Sequence, residues 1–152
     1  MCTGNISRSF LAEMLLRDKV NKNHIPGVSI SSSGTGAFPG SEADEEMTKF
    51  LTSKNIPFKD HRSRDLTASQ LEEADIVLVM EEAHRDIILN RWPQAEDKLQ
   101  KLGRYIALDK TEDDIADPYG RSQYHYRAAQ SQITLAVSNL FKVLFQDTGS
   151  NA

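Results

Sequence analysis

The chain has 152 residues, of which 39% are hydrophobic and 26% are charged, and these proportions predict one globular domain with a core of ordinary size. Lys and Arg number 18 and Asp and Glu 22, and the resulting net charge of −4 favours neither nucleic acids nor anionic membranes as partners. No apolar run approaches the ~20 residues that a membrane span requires. The single cysteine excludes an internal disulfide and provides no metal framework, so we expect a reducing, cytoplasmic setting.

The first half of the chain shows helical spacing of apolar residues in three places. Ser9 is suited to cap a first helix that carries Phe10 and Leu11 on its buried face. Residues 28–32 alternate between apolar and polar and predict a strand, and residues 42–53 predict a second helix. Residues 67–71 predict a short third helix with Thr67 as its cap.

The second half predicts two more strands and two more helices. The unbroken apolar run 76–80 is typical of a strand covered on both faces, and residues 81–92 predict a helix. Residues 105–108 predict another strand, and the apolar spacing over 133–145 predicts a long C-terminal helix. Strands alternating with helices predict an α/β fold, a small parallel sheet with helices on both faces. We expect one domain over residues 1–146 and a frayed tail over 147–152.

The opening stretch MCTGNISRSF holds the residues best suited to chemistry. A free thiol titrates near a pKa of ~8.5, and surrounding positive charge favours the thiolate, which is the nucleophile. Gly4 and Asn5 tolerate positive φ, so the loop can turn its N–H groups inward, and the helix that follows adds partial positive charge. Arg8 can bind two oxygens of a tetrahedral anion. Together these features predict phosphoryl transfer to Cys2, whereas the alternative is an inert cysteine beside a solvated arginine.

A general acid is needed to protonate the leaving oxygen, and Asp117 is the candidate. It precedes Pro118, which stiffens the loop, and Tyr119, whose ring could stack against an aromatic substrate. The alternative is that the stretch Asp-Pro-Tyr-Gly is an ordinary turn.

These motifs, in this order, resemble the low-molecular-weight protein tyrosine phosphatases over nearly the whole chain. The matching segments are residues 2–9 (the signature loop), 11–13 (the start of the first helix), 32–35 (the exit of the second strand), 61–66, 74–80 (the third strand) and 117–119 (the acid loop). The resemblance implies a three-layer α/β fold and a phosphatase that uses neither metal nor cofactor.

The resemblance also implies a role for each residue of the site. Cys2 would attack phosphorus and form a phosphocysteine, and Asp117 would protonate the leaving phenolate and then activate water. Ser9 would donate a hydrogen bond to the thiolate. Arg8 would hold the phosphoryl oxygens together with the loop residues Thr3, Gly4, Asn5, Ile6 and Ser7.

Further residues would support the loop or form the walls of the cleft. By the same resemblance, Asn5, Ser33 and His61 would form hydrogen bonds that hold the loop, and Phe38 and Tyr119 would line the entrance. On composition alone His61 is equally well read as a surface residue in a charged run.

Two loop positions bear on the substrate. Ile6 stands where family members that act on phosphoarginine have a threonine, so a phosphotyrosine protein or a small aryl phosphate is the expected substrate. Ser7 replaces a second loop cysteine, which rules out a protective disulfide with Cys2 and argues against the related arsenate reductases. A phosphoarginine phosphatase and a non-catalytic phosphate-binding relative are the alternatives.

In the family an apolar strand leads into the nucleophile, whereas only Met1 precedes Cys2 here. That strand would lie between residues 28–32 and 76–80. We expect the natural chain to be longer. The alternatives are that residues 142–145 supply the strand, although their spacing favours a helix, or that the chain is an inactive relative.

Overall fold

The computed structural model describes residues 1–107 and 113–146. Its elements are α1 (Arg8–Lys22), α2 (Glu45–Ser53), α3 (Ala68–Glu73), β1 (Val77–Val79), α4 (Glu82–Arg91), a 3₁₀ helix (Pro93–Lys98), β2 (Leu99–Lys101), α5 (Arg104–Ala107) and α6 (Gln123–Phe145). Leu108, the last residue of one predicted strand, and the predicted tail 147–152 lie outside the described residues.

The helix starts follow local capping. Ser7 rather than Ser9 stands at the N-cap position of α1, two residues earlier than predicted, and its hydroxyl makes no capping hydrogen bond. Asp44 caps α2 by accepting a hydrogen bond from the main-chain N–H of Glu46, so α2 begins three residues after the predicted start. Thr67 caps α3 as predicted.

The sheet is parallel, with Val77 of β1 opposite Leu99 of β2. The strand predicted at residues 105–108 was wrong, since Arg104–Ala107 is the helix α5. Tyr105 is buried in the core beside α6, and its main-chain oxygen accepts a hydrogen bond from Asn139 Nδ2 at 2.8 Å. Packing against α6 therefore outweighs the β-propensity of this short apolar run.

The strand predicted at residues 28–32 was also wrong. This segment has no assigned secondary structure, and only the next residues pair, through single parallel bridges from Gly34 to Cys2 and to Asp65. Main-chain hydrogen bonds join Met1 to Leu78 and Met80 at the edge of β1. A cleft of about 480 Å³ lies between the 27–33 segment, α1, β1 and α6. Residues 142–145 do not supply a strand, because they belong to α6.

The hydrophobic core has two parts, one on each side of the sheet. Residues of α1, α2 and α6 form the larger part, which includes Phe10, Leu51 and Ile133. The smaller part joins α3, β1, α4 and β2 and includes Ile88 and Val79. Helices therefore cover both faces of a small parallel sheet, which confirms the predicted fold class. Within the described residues no helix has the length and apolar character needed to cross a membrane.

Candidate active site

Cys2 lies where the opening loop begins, and it is buried. Its main-chain oxygen accepts a hydrogen bond from Thr35 N at 2.9 Å, and its side chain is only 3% exposed. Cys2 Sγ is 3.0 Å from Ser9 Oγ, at the start of α1. The thiol is therefore held at the mouth of the loop and beside the N-terminus of a 15-residue helix, whose dipole favours negative charge there.

The loop from Thr3 to Arg8 has the features of a ring of N–H donors. Among the described residues, none of the main-chain N–H groups of residues 3–8 donates to a backbone carbonyl. Asn5 has φ of 54°, the left-handed conformation that lets successive N–H groups converge. Such a ring binds tetrahedral anions.

The side chain of Asn5 holds this loop in shape from within. Asn5 Nδ2 donates to Ser9 Oγ at 3.0 Å and to Ser32 Oγ at 2.9 Å, and Asn5 Oδ1 accepts from Arg64 N at 3.0 Å. His61 Nε2 lies 2.5 Å from the main-chain oxygen of Asn5. These bonds offset the strain of a non-glycine residue at positive φ.

Ser33 does not join this network, contrary to the prediction. Its hydroxyl donates to Gln70 Oε1 at 3.0 Å, and the neighbouring Ser32 makes the bond to Asn5. Successive side chains of an extended segment point to opposite sides, so a shift of one residue changes the partner completely.

Arg8 is buried, at 2% exposure, and is held by one end of its guanidinium group. Arg8 Nη1 donates to the main-chain oxygen of Ile115 at 2.7 Å and pairs with the Glu81 carboxylate. Within residues 1–107 and 113–146, Arg8 Nε is buried without a partner. Nη2 is 3.6 Å from Asp117 Oδ2. The Nε–Nη2 edge is thus available to an anion in the loop.

Asp117 belongs to the segment after α5 and reaches the loop from the other side. Its carboxylate lies beside Arg8, and about half of the side chain is exposed. Asp117 Oδ1 also accepts from the main-chain N–H of Tyr119 at 3.2 Å, which orients the carboxylate. The structure brings Asp117 to Arg8, in the loop that begins at Cys2, although these two residues are 109 positions apart in the chain.

The remaining predicted residues lie on the loop or at the rim. Ile6 is half-buried in the loop, and Ser7 is buried with its hydroxyl unbonded among the described residues. Phe38 and Tyr119 are 85% and 59% exposed, so both rings are available to a ligand. No cluster of metal-ligating side chains occurs within the described part of the chain.

Besides Ser32, two residues of the site were missed by the sequence reasoning. Glu81 and His84 were read only as part of a helix, yet Glu81 pairs with Arg8 and His84 contacts the hydroxyl of Thr3. Burial, followed by the charge of Arg8, lowers the pKa of His84 to about 4. One signal was present: Glu81 follows the end of β1, and the carboxyl ends of parallel strands are where sites form.

Comparison with known proteins identifies the family. The family model for low molecular weight phosphotyrosine protein phosphatase matches residues 1–150. A protein-arginine-phosphatase of Geobacillus stearothermophilus is 37% identical over 144 residues, 95% of this chain and 93% of the relative. The probable low molecular weight protein-tyrosine-phosphatase EpsP of Ralstonia nicotianae is 34% identical over 137 residues, 90% of this chain and 88% of the relative.

Solved structures show the same likeness. The YwlE arginine phosphatase from Geobacillus stearothermophilus has a TM-score of 0.85 at 34% identity, over 99% of this chain and 94% of that one. The Erwinia amylovora tyrosine phosphatase AmsI has a TM-score of 0.82 at 30% identity, over 95% of this chain and 90% of that one. The chain therefore belongs to the low molecular weight phosphotyrosine protein phosphatase family and is a phosphatase enzyme.

Proposed function

We propose that the protein is a phosphotyrosine protein phosphatase that uses Cys2 as its nucleophile. The observation that carries the proposal is the opening loop. Its main-chain N–H groups have no backbone acceptor among the described residues, Cys2 Sγ lies at one end beside Ser9, and Arg8 with its unpartnered Nε lies at the other end beside Asp117. This arrangement suits a phosphoryl group whose three oxygens are bound while sulfur attacks phosphorus.

In the first step the Cys2 thiolate attacks phosphorus in line with the leaving oxygen. The S–P bond forms as the P–O bond breaks, and Asp117 donates its proton to the phenolate oxygen. Arg8 and the loop N–H groups bind the three equatorial oxygens. In the second step Asp117, now a carboxylate, takes a proton from water, which attacks phosphorus. The S–P bond breaks, and inorganic phosphate and the Cys2 thiolate are released.

The hydrogen bonds of Ser9 indicate how the thiolate is stabilised. Asn5 Nδ2 can only donate, so Ser9 Oγ accepts from it and keeps its own proton for Cys2 Sγ. A hydrogen bond to the charged form of a group favours that form. Ser9 would therefore stabilise the thiolate both before attack and as the leaving group in the second step.

Ile6 and the exposed aromatic rings support tyrosine as the substrate residue. A branched apolar side chain at position 6 narrows the entrance and suits a flat phenyl ring, and Tyr119 offers a second ring for stacking. The free thiol requires reducing conditions, so we place this activity in the cytoplasm.

Phosphoarginine is the second candidate substrate, because two relatives are named protein-arginine-phosphatase. Matched phosphotyrosine and phosphoarginine peptides, assayed with the wild type and Ile6→Thr, distinguish the two. We expect the wild type to prefer phosphotyrosine and Ile6→Thr to lose part of that preference. Preference of the wild type for phosphoarginine would contradict the tyrosine assignment.

The catalytic roles are tested with an aryl phosphate. We expect Cys2→Ser to abolish hydrolysis, and Asp117→Asn to slow it most for poor leaving groups, since these need the proton. Phosphate binding without any hydrolysis by the wild type would instead identify a non-catalytic binding module. Activity that persists in Cys2→Ser would exclude the proposed nucleophile.

A further inference from the structure

His84 is a buried titratable residue that the chemical steps do not use. Only 2% of its surface is exposed. Its ring lies between two groups of the site: Nδ1 is 3.1 Å from the main-chain nitrogen of Glu81, and Nε2 is 2.9 Å from Thr3 Oγ1. The main-chain N–H of His84 also donates to the main-chain oxygen of Glu81 at 3.1 Å.

The partners of the ring determine its tautomer. The Glu81 N–H can only donate, so Nδ1 must carry a lone pair, and the hydrogen of the neutral ring is on Nε2. Nε2 therefore donates to the hydroxyl of Thr3. The charges that face the ring are those of Arg8, Glu81, Asp117 and the amino group of Met1.

Protonation of Nδ1 would place its N–H against the main-chain N–H of Glu81, so that two donors would face each other. Burial and the positive charge of Arg8 oppose it, and the lowered pKa of about 4 means that the ring stays neutral at ordinary pH. At ordinary pH the Nε2–H of neutral His84 therefore keeps its hydrogen bond to Thr3 Oγ1.

We infer that His84 is a positioning residue for the anion-binding loop. Through Thr3 it fixes the start of the loop to Glu81, whose carboxylate holds Arg8 at the end of the loop. Glu81 pairs with Arg8 through its carboxylate and with His84 through its main chain. Both ends of the loop are consequently held by Glu81, the N-cap residue of α4. The inference rests on the proposed function, because it gives His84 a role in the phosphate-binding loop of that site.

The start of α3 shows the same arrangement with another residue type. Gln70, at the third position of α3, accepts from the main-chain N–H of Thr67 at 3.1 Å and from Ser33 Oγ at 3.0 Å. His84 occupies the same position in α4 and likewise joins the N-cap amide to a hydroxyl of a neighbouring segment. A glutamine at position 84 can therefore make both contacts, whereas an asparagine keeps only the nearer one.

The test measures the dissociation constant of inorganic phosphate by calorimetry in four variants. We expect Thr3→Val and His84→Asn each to weaken phosphate binding about 5- to 10-fold, the effect of one lost hydrogen bond that holds a binding group. The double variant should bind no more weakly than either single one, because both remove the same contact. His84→Gln should stay within about 2-fold of the wild type.

Controls separate positioning from folding and from acid–base chemistry. Thr3 is exposed, so we expect Thr3→Val to fold, with a melting temperature a few degrees lower because the buried Nε2–H of His84 loses its acceptor. Thr3→Val and His84→Gln together suffice for the test if His84→Asn does not fold. The pH profile of hydrolysis by His84→Gln should keep the wild-type shape.

Three results would overturn the inference: unchanged phosphate binding in Thr3→Val, losses that multiply in the double variant, or a pH limb lost in His84→Gln. Absence of hydrolysis by the wild type, with the predicted pattern of phosphate affinities, would contradict the proposed function while supporting the role of His84.

Discussion

At the scale of single residues, the site depends on which hydroxyl contacts Asn5. Ser32 Oγ accepts from Asn5 Nδ2, whereas the hydroxyl of the adjacent Ser33 donates to Gln70. We expect Ser32→Ala to lower kcat for an aryl phosphate about 5-fold, because Asn5 holds the loop with one bond fewer. Ser33→Ala is the matched control and should keep wild-type kcat. The reverse order of effects would show that the network was assigned to the wrong serine.

Also at this scale, His84 makes stability depend on pH. Its pKa is lowered from 6.5 to about 4 in the folded protein, so between these values the unfolded chain binds a proton that the folded chain does not. The contribution of neutral His84 to the free energy of unfolding is therefore fully present above pH ~6.5. It is lost as the pH falls, by about 3 kcal/mol near pH 4. Urea unfolding at several pH values should show a shallower decline for His84→Gln. Equal slopes would contradict the assignment of this pH dependence to His84.

At the scale of elements, Gly34 joins the segment after residues 28–32 to Cys2 at the start of the opening loop. It bridges Cys2 and Asp65, and a Cβ there would lie 2.3 Å from the main-chain oxygen of Thr3. We expect Gly34→Ala to lower the free energy of unfolding by about 2–4 kcal/mol, since backbone must shift. Gly36→Ala meets no atom within 4 Å and is the control, with little expected change in urea unfolding. Equal stability of the two variants would refute the close approach.

At the scale of the whole molecule, an anion in the loop links distant parts of the chain. Arg8 contacts Glu81 after β1 and the segment containing Ile115 and Asp117, so a ligand on Arg8 stabilises all of them together. Phosphate at about 100 times its Kd adds about 2.7 kcal/mol of stability, or several degrees in Tm. Arg8→Lys should lose most of this shift in calorimetry, whereas Arg17→Lys, at an exposed position, should keep it. A full shift in Arg8→Lys would remove Arg8 from the phosphate site.

Local chemistry made much of this protein predictable from its amino acids. Capping by Thr67, the long apolar stripe of α6 and the buried run at β1 depend on neighbours in the chain, and each was predicted. The strand at residues 105–108 was mispredicted because its apolar residues are used by tertiary packing against α6. The short stretch Leu99–Lys101 forms β2 through main-chain pairing with β1. Main-chain pairing cannot be predicted from the pattern of side chains in so short a stretch.

The sequence by itself determined the composition of the site, because Cys2, Arg8 and the glycine and asparagine between them have chemical properties that need no partner to be recognised. Only the tertiary structure decided how the site is held. Glu81, His84 and Ser32 act through contacts with residues far away in the chain. The spacing of amino acids in the sequence cannot show which of two adjacent side chains, such as Ser32 and Ser33, faces the loop. The physical reason is that a covalent neighbour constrains conformation, whereas a hydrogen-bond partner is chosen by the packing of the whole fold.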